Sequence, residues 1–169
     1  MSARKDIIAA EFFHRYINLG KDDDALQSIQ QNTRKFTKFL EEIPKKRIDY
    51  QYAAGKWSIK ELLQHIIDAE RVFAYRALTF SRFDPAELPG FDENRWAANA
   101  DTKHRKWSDL KKEFANVRGS TKLLFESFTE KQWLATGTAS GHLVNCVALA
   151  FICCGHVEHH INIIKEKYL

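Results

Sequence analysis

The sequence predicts an all-α protein, a four-helix bundle with long connections. Three observations carry that expectation. Only seven Gly and three Pro interrupt 169 residues, which suits long helices better than many short strands joined by tight turns. Apolar residues make up 44% of the chain, with twelve Phe and four Trp, enough to pack one core and too many for a disordered chain. Four segments place their apolar residues at helical spacing.

The expected organisation is an N-terminal arm over residues 1–23 followed by the bundle over residues 24–169. In the arm, Phe12, Phe13, Tyr16, Ile17 and Leu19 suit either a short helix or an irregular segment lying on the bundle. The first bundle helix starts at Asp22-Asp23-Asp24, where carboxylates satisfy free N–H groups at the positive helix end. Leu26, Ile29, Thr33, Phe36, Leu40 and Ile43 follow, and Pro44 closes it. After a linker over residues 45–57, Ser58 and Glu61 form a capping box that opens the second helix. Leu62, Leu63, Ile66, Phe73, Ala77 and Leu78 mark its buried side, and it ends near Ser81. Pro85, Pro89 and Gly90 make a loop, and residues 91–100 suit a short helical turn. The third helix starts at Ser108, with Leu110, Phe114, Val117, Thr121, Leu124 and Phe128 on one stripe. Residues 137–141 (Gly-Thr-Ala-Ser-Gly) are turn chemistry. The fourth helix runs from about Leu143 to about Lys167.

The charges are interleaved and the net charge is +4. No basic stripe with exposed aromatics points to nucleic acid. The longest apolar run, Leu143 to Gly155, falls short of the ~18 residues a membrane span needs. Cys146, Cys153 and Cys154 all fall in the fourth helix. An odd count without a secretory signal suits a reduced, cytoplasmic protein.

The fourth helix carries the chemistry. His156 and His160 are one turn apart on one face, a spacing at which two imidazoles chelate one ion. Leu149, Ile152 and Cys153 share that stripe, so both rings point into the core, where unpaired polar groups are costly. One of them could instead be a satisfied core histidine. His159 lies about 100° around the helix from His160, at the surface or supporting the ligands. A third ligand must come from elsewhere. His65 is the other histidine inside an apolar helix, on the flank of the buried stripe beside Ala69 and Val72. Glu61 and Asp68 are placed to hydrogen-bond its second nitrogen. His142 shares the stripe but lies about 21 Å up the helix from His156. Cys153 is the rival ligand, read more simply as a buried thiol. Three histidines from two helices leave coordination positions open, a catalytic pattern.

These residues sit in stretches that resemble the DinB/YfiT-like superfamily of metalloenzymes. The matching segments are residues 55–71 (Gly-Lys-Trp-Ser through His65 to Arg71), 73–78, 88–92, 113–118, 137–141, and the tail from Gly155-His156 to Tyr168-Leu169. The likeness covers most of the chain from about residue 24. It implies an up-down-down-up four-helix bundle, often a homodimer, with zinc or nickel held by three histidines that match His65, His156 and His160. It also implies one of several activities on a small-molecule substrate. The first is a metal-dependent S-transferase in which a low-molecular-weight thiol is bound as thiolate. The second is a metal-dependent hydrolase with Glu61 or Asp68 as general base. The third is a non-catalytic, stress-linked binding or dimerisation module. The S-transferase is the expected one, with Glu61, Asp68 and His159 as orienting groups and residues 82–106 and 129–141 shaping the pocket.

Overall fold

The computed structural model describes residues 3–169. Its four long helices are α2 (Ala25–Glu42), α3 (Ile59–Ser81), α5 (Trp107–Glu126) and α7 (Cys146–Lys167). A shorter helix α1 (Glu11–Ile17) precedes them, and α4 (Glu93–Asn99), α6 (Glu130–Trp133) and a hairpin of β1 (Thr136–Ala139) and β2 (His142–Asn145) lie in the connections. Two of the expected helix starts are capped as the sequence indicates, whereas α5 starts at Trp107, one residue before Ser108, with no side-chain cap. The Asp24 carboxylate accepts from the Gln27 N–H at 2.9 Å, and Ser58 and Glu61 close both halves of a capping box.

α2 packs on α5 and α7, and α3 packs on the same two helices. The first two bundle helices are therefore diagonal, and residues 43–58 cross the end of the bundle between them. One buried polar network ties the four together. Arg118 on α5 donates from Nε and Nη2 to the Glu70 carboxylate on α3, at 2.7 to 2.9 Å, and from Nη1 to Asn32 Oδ1 on α2 at 3.0 Å. Asn32 Nδ2 donates in turn to Glu158 on α7 at 2.9 Å. A buried ion pair costs desolvation and is tolerated only when its hydrogen bonds are made, as they are here.

One element boundary is corrected. The fourth helix does not begin at Leu143. Residues 142–145 form β2 instead, and Asn145 caps α7 by accepting from the Ala148 N–H at 2.9 Å. Ser140 and Gly141 both have positive φ (54° and 76°), the backbone that closes a two-residue hairpin with the right twist. Gly137 on β1 lies against Phe80, whose ring would be 2.1 Å from an added Cβ. Of the two forms expected of the N-terminal arm, the short helix is the one seen, as α1 lying on the bundle. The N–H of Ala10 donates to Leu143 O at 3.0 Å, and Phe13 and Ile17 of α1 are buried in the core with α7. Gly155, midway along α7, makes this possible. A Cβ there would stand 2.0 Å from the Tyr16 carbonyl oxygen, so glycine lets α1 lie directly on α7.

α7 is long and apolar enough to cross a membrane by length and composition alone, contrary to the reading of its apolar run, but 78% of its most apolar stretch is buried inside the bundle. Every residue from Cys146 to Val157 is buried. That is a core helix surrounded by α1, α2 and α3.

Candidate metal centre

The ring nitrogens of His65, His156 and His160 converge. His156 Nε2 lies 3.1 Å from His65 Nε2 and 3.2 Å from His160 Nε2. One ligand atom from each ring falls within 4.8 Å of the others. α7 supplies the pair one turn apart and α3, packed beside it, supplies the third. Aromatic rings fix their orientation: Trp57 against His65 at 4.9 Å, Phe73 against His156 at 5.6 Å, and Tyr16 against His156 at 5.4 Å between centroids.

Burial holds the His65 ring down at about 4. It holds His156 and His160 well below the ordinary imidazole range, and neighbouring imidazoles push the same way. All three are therefore neutral at pH 7, the form that binds a metal. The donor set fits a divalent ion. Two nitrogens bound to one zinc at near-tetrahedral angles lie about 3.3 Å apart, close to the separations seen. His160 Nδ1, the ring nitrogen turned away from the cluster, is buried without a hydrogen-bond partner, and an ion at Nε2 would leave it so.

The predicted orienting carboxylates do not reach this cluster. Glu61 is the third residue of α3, and its carboxylate turns back to accept from the Ser58 N–H at 2.7 Å and Oγ at 2.8 Å. Asp68 accepts from Gln64 Nε2 at 2.9 Å and faces Arg71. His159 borders the cavity, half-buried, its ring 5.6 Å from Tyr16 and 5.1 Å from His160. Cys153 stays outside the cluster, and burial pushes its thiol up. His142 stacks on Phe12 instead.

The imidazoles stand on the wall of a cavity of about 480 Å³. Phe12, Phe13, Trp57, Phe73, Phe91 and Ile152 make it apolar, and Arg15, Arg76, Glu93 and Ser140 give it polar groups. Several of these were not foreseen. α1 contributes through the Gly155 contact. Arg76 follows His65, Ala69 and Phe73 at helical spacing on α3, so its signal was a charged residue on a buried stripe. Glu93, at the start of α4, is the one carboxylate bordering the cavity among the described residues.

A family model of the DinB superfamily matches residues 28–164. The chain belongs to the DinB superfamily. Its relatives include proteins of Bacillus cereus (strain B4264) and Bacillus anthracis (strain A0248), both named as candidate metal-dependent hydrolases. Each is 25% identical over 102 residues, which cover 52% of this chain and 58% of the relative; the likeness thus spans little more than half the length of these DinB relatives. YfiT from Bacillus subtilis, described as a candidate metal-dependent hydrolase with an unusual four-helix bundle topology, superposes with a TM-score of 0.74 at 18% identity over 84% of this chain and 82% of its own. That likeness establishes the bundle fold.

Proposed function

We propose that this DinB protein is a metal-dependent hydrolase of a small molecule, with zinc or nickel held by His65, His156 and His160. The observation that carries the reading is the convergence of three neutral imidazoles on the wall of a roomy, largely apolar cavity. A divalent ion bound there supplies Lewis acidity and a nucleophile at neutral pH. The chain supplies the rest. Trp57, Phe73 and Tyr16 hold the ligand rings in place, and Phe13, Phe73 and Ile152 give the cavity a buried apolar wall. The Glu93 carboxylate is close enough to His65 and Tyr16 to influence their titration. It takes the role expected of Glu61 or Asp68, accepting the proton from the attacking group at a carboxylate oxygen.

The hydrolases named among the relatives favour this reading over the S-transferase. The cavity volume favours keeping the transferase as the second reading, because it can hold a low-molecular-weight thiol beside another small reactant. The test is turnover of an ester and amide panel by zinc- or nickel-loaded protein, with and without added thiol. Hydrolysis without thiol, reduced about a hundredfold to ten-thousandfold by Glu93→Gln, is the expected result. Turnover only with thiol would replace the hydrolase by the transferase, and none under either condition would favour a binding module.

A further inference from the structure

Arg76 is a buried cation without a counter-ion. It is 3% exposed. Its Nη2 donates to two neutral acceptors, Pro89 O at 2.9 Å and Ser140 Oγ at 2.8 Å. Its Nε is buried with no partner, and no carboxylate lies within 4.0 Å of the guanidinium among the described residues. Burial lowers its pKa, with no carboxylate opposing the shift. Arg118 is the contrast within the same molecule. Equally buried, it is met by the Glu70 carboxylate and by Asn32. An arginine buried for architecture is paired, whereas Arg76 borders the cavity with donors to spare.

We infer that Arg76 is the seat for a negatively charged group, a carboxylate, on the far end of an apolar small-molecule substrate. The inference rests on reading the cavity as the substrate site. A guanidinium whose charge is unanswered in a low-dielectric wall gains most from an anion, and its planar N–H groups match a carboxylate. The other charges of the cavity agree. Arg15 and Arg76 face a single carboxylate, Glu93, while the clustered imidazoles are neutral. Phe12, Phe73 and Phe91 would take the apolar body. Along α3, Arg76 lies about 16 Å from His65 at 1.5 Å rise per residue. The anion is thus held away from the imidazoles and selects the substrate by binding.

The test compares phenylbutyrate with its neutral amide, phenylbutyramide, by calorimetric titration of metal-free and zinc-loaded protein, with zinc content measured on the same samples. The carboxylate is expected to bind about tenfold or more tightly than the amide in both forms. Arg76→Gln is expected to abolish that preference, Arg76→Lys to retain part of it, and Arg15→Gln to leave it in place. Equal binding of the two probes, or binding of neither, overturns the seat, and so does a preference that survives Arg76→Gln. The comparison on unaltered protein decides even if the Arg76 variants fail to fold. A carboxylate preference in protein that takes up no zinc upholds the seat and refutes the metal proposal alone.

Discussion

His156 has one ring nitrogen facing two others. A neutral imidazole nitrogen carries either a proton or a lone pair, so Nε2 cannot make two good hydrogen bonds, one to His65 and one to His160, of the kind a buried site needs. A cation accepting a lone pair from each ring removes the conflict, which is why the cluster supports a metal better than a structural hydrogen-bonded trio. The cysteines on the same helix have no such poise. Burial pushes Cys146 up to about 12 and Cys154 up to about 11, so thiolate is scarce at pH 8 and reagent has no path to it. All three thiols should resist iodoacetamide at pH 8 in the native protein and react after denaturation, as intact-mass measurement would show; rapid native labelling would mean the core is open. At this scale the sequence is an uneven guide. The spacing of His156 and His160 is periodic, hence legible. Glu61 and Asp68 are near His65 along the helix, but a capping box and Gln64 claim them, and helical spacing does not rank competing partners. Glu93 reaches the cavity only through the path of residues 82–106, which no local pattern encodes.

Among the elements, α7 was the most readable and also the most misread. Its buried length is plain from composition, yet the apolar pattern puts its start three residues early, because Leu143 and Val144 are apolar enough to extend the helical pattern although they pair across a hairpin. α1 was the least readable, since seven residues are too few to show a periodicity. Its placement depends on a contact with Gly155, a residue that alone in a helix reads as a weak point. The close approach gives Gly155→Ala a definite sign. Alanine gains up to about 1 kcal/mol of helix propensity, but a Cβ against the Tyr16 carbonyl forces α1 away at about 1–3 kcal/mol or more. The melting temperature should fall by a few degrees, and fluorescence of a cavity-bound aromatic probe should change with it. A variant as stable as the parent, with the cavity unaltered, would show that α1 is not held as described.

On the scale of the whole molecule, the bundle brings α3 and α7 side by side, and the buried pair of Arg118 and Glu70, joined to Asn32 and Glu158, links all four long helices. The three histidines thus come from a rigid frame, which also gives the cavity Phe73, Arg76 and Ile152, while the rest of the wall comes from α1, the hairpin, Trp57 and residues 82–106. The fold class followed from periodicity and scarce breakers; the diagonal placement of α2 and α3 did not, because a linker's length permits a crossing without requiring it. The decisive measurement is the metal content, by inductively coupled plasma mass spectrometry, of protein exposed to zinc or nickel and desalted, beside His65→Ala, His156→Ala and His160→Ala, with melting curves before and after chelation. The account predicts about one ion per chain in the parent and little in each variant, with the parent alone losing about 5–10 °C on chelation from free metal about a hundredfold above its dissociation constant. Full occupancy in the variants, or an empty parent at saturating metal, would contradict it.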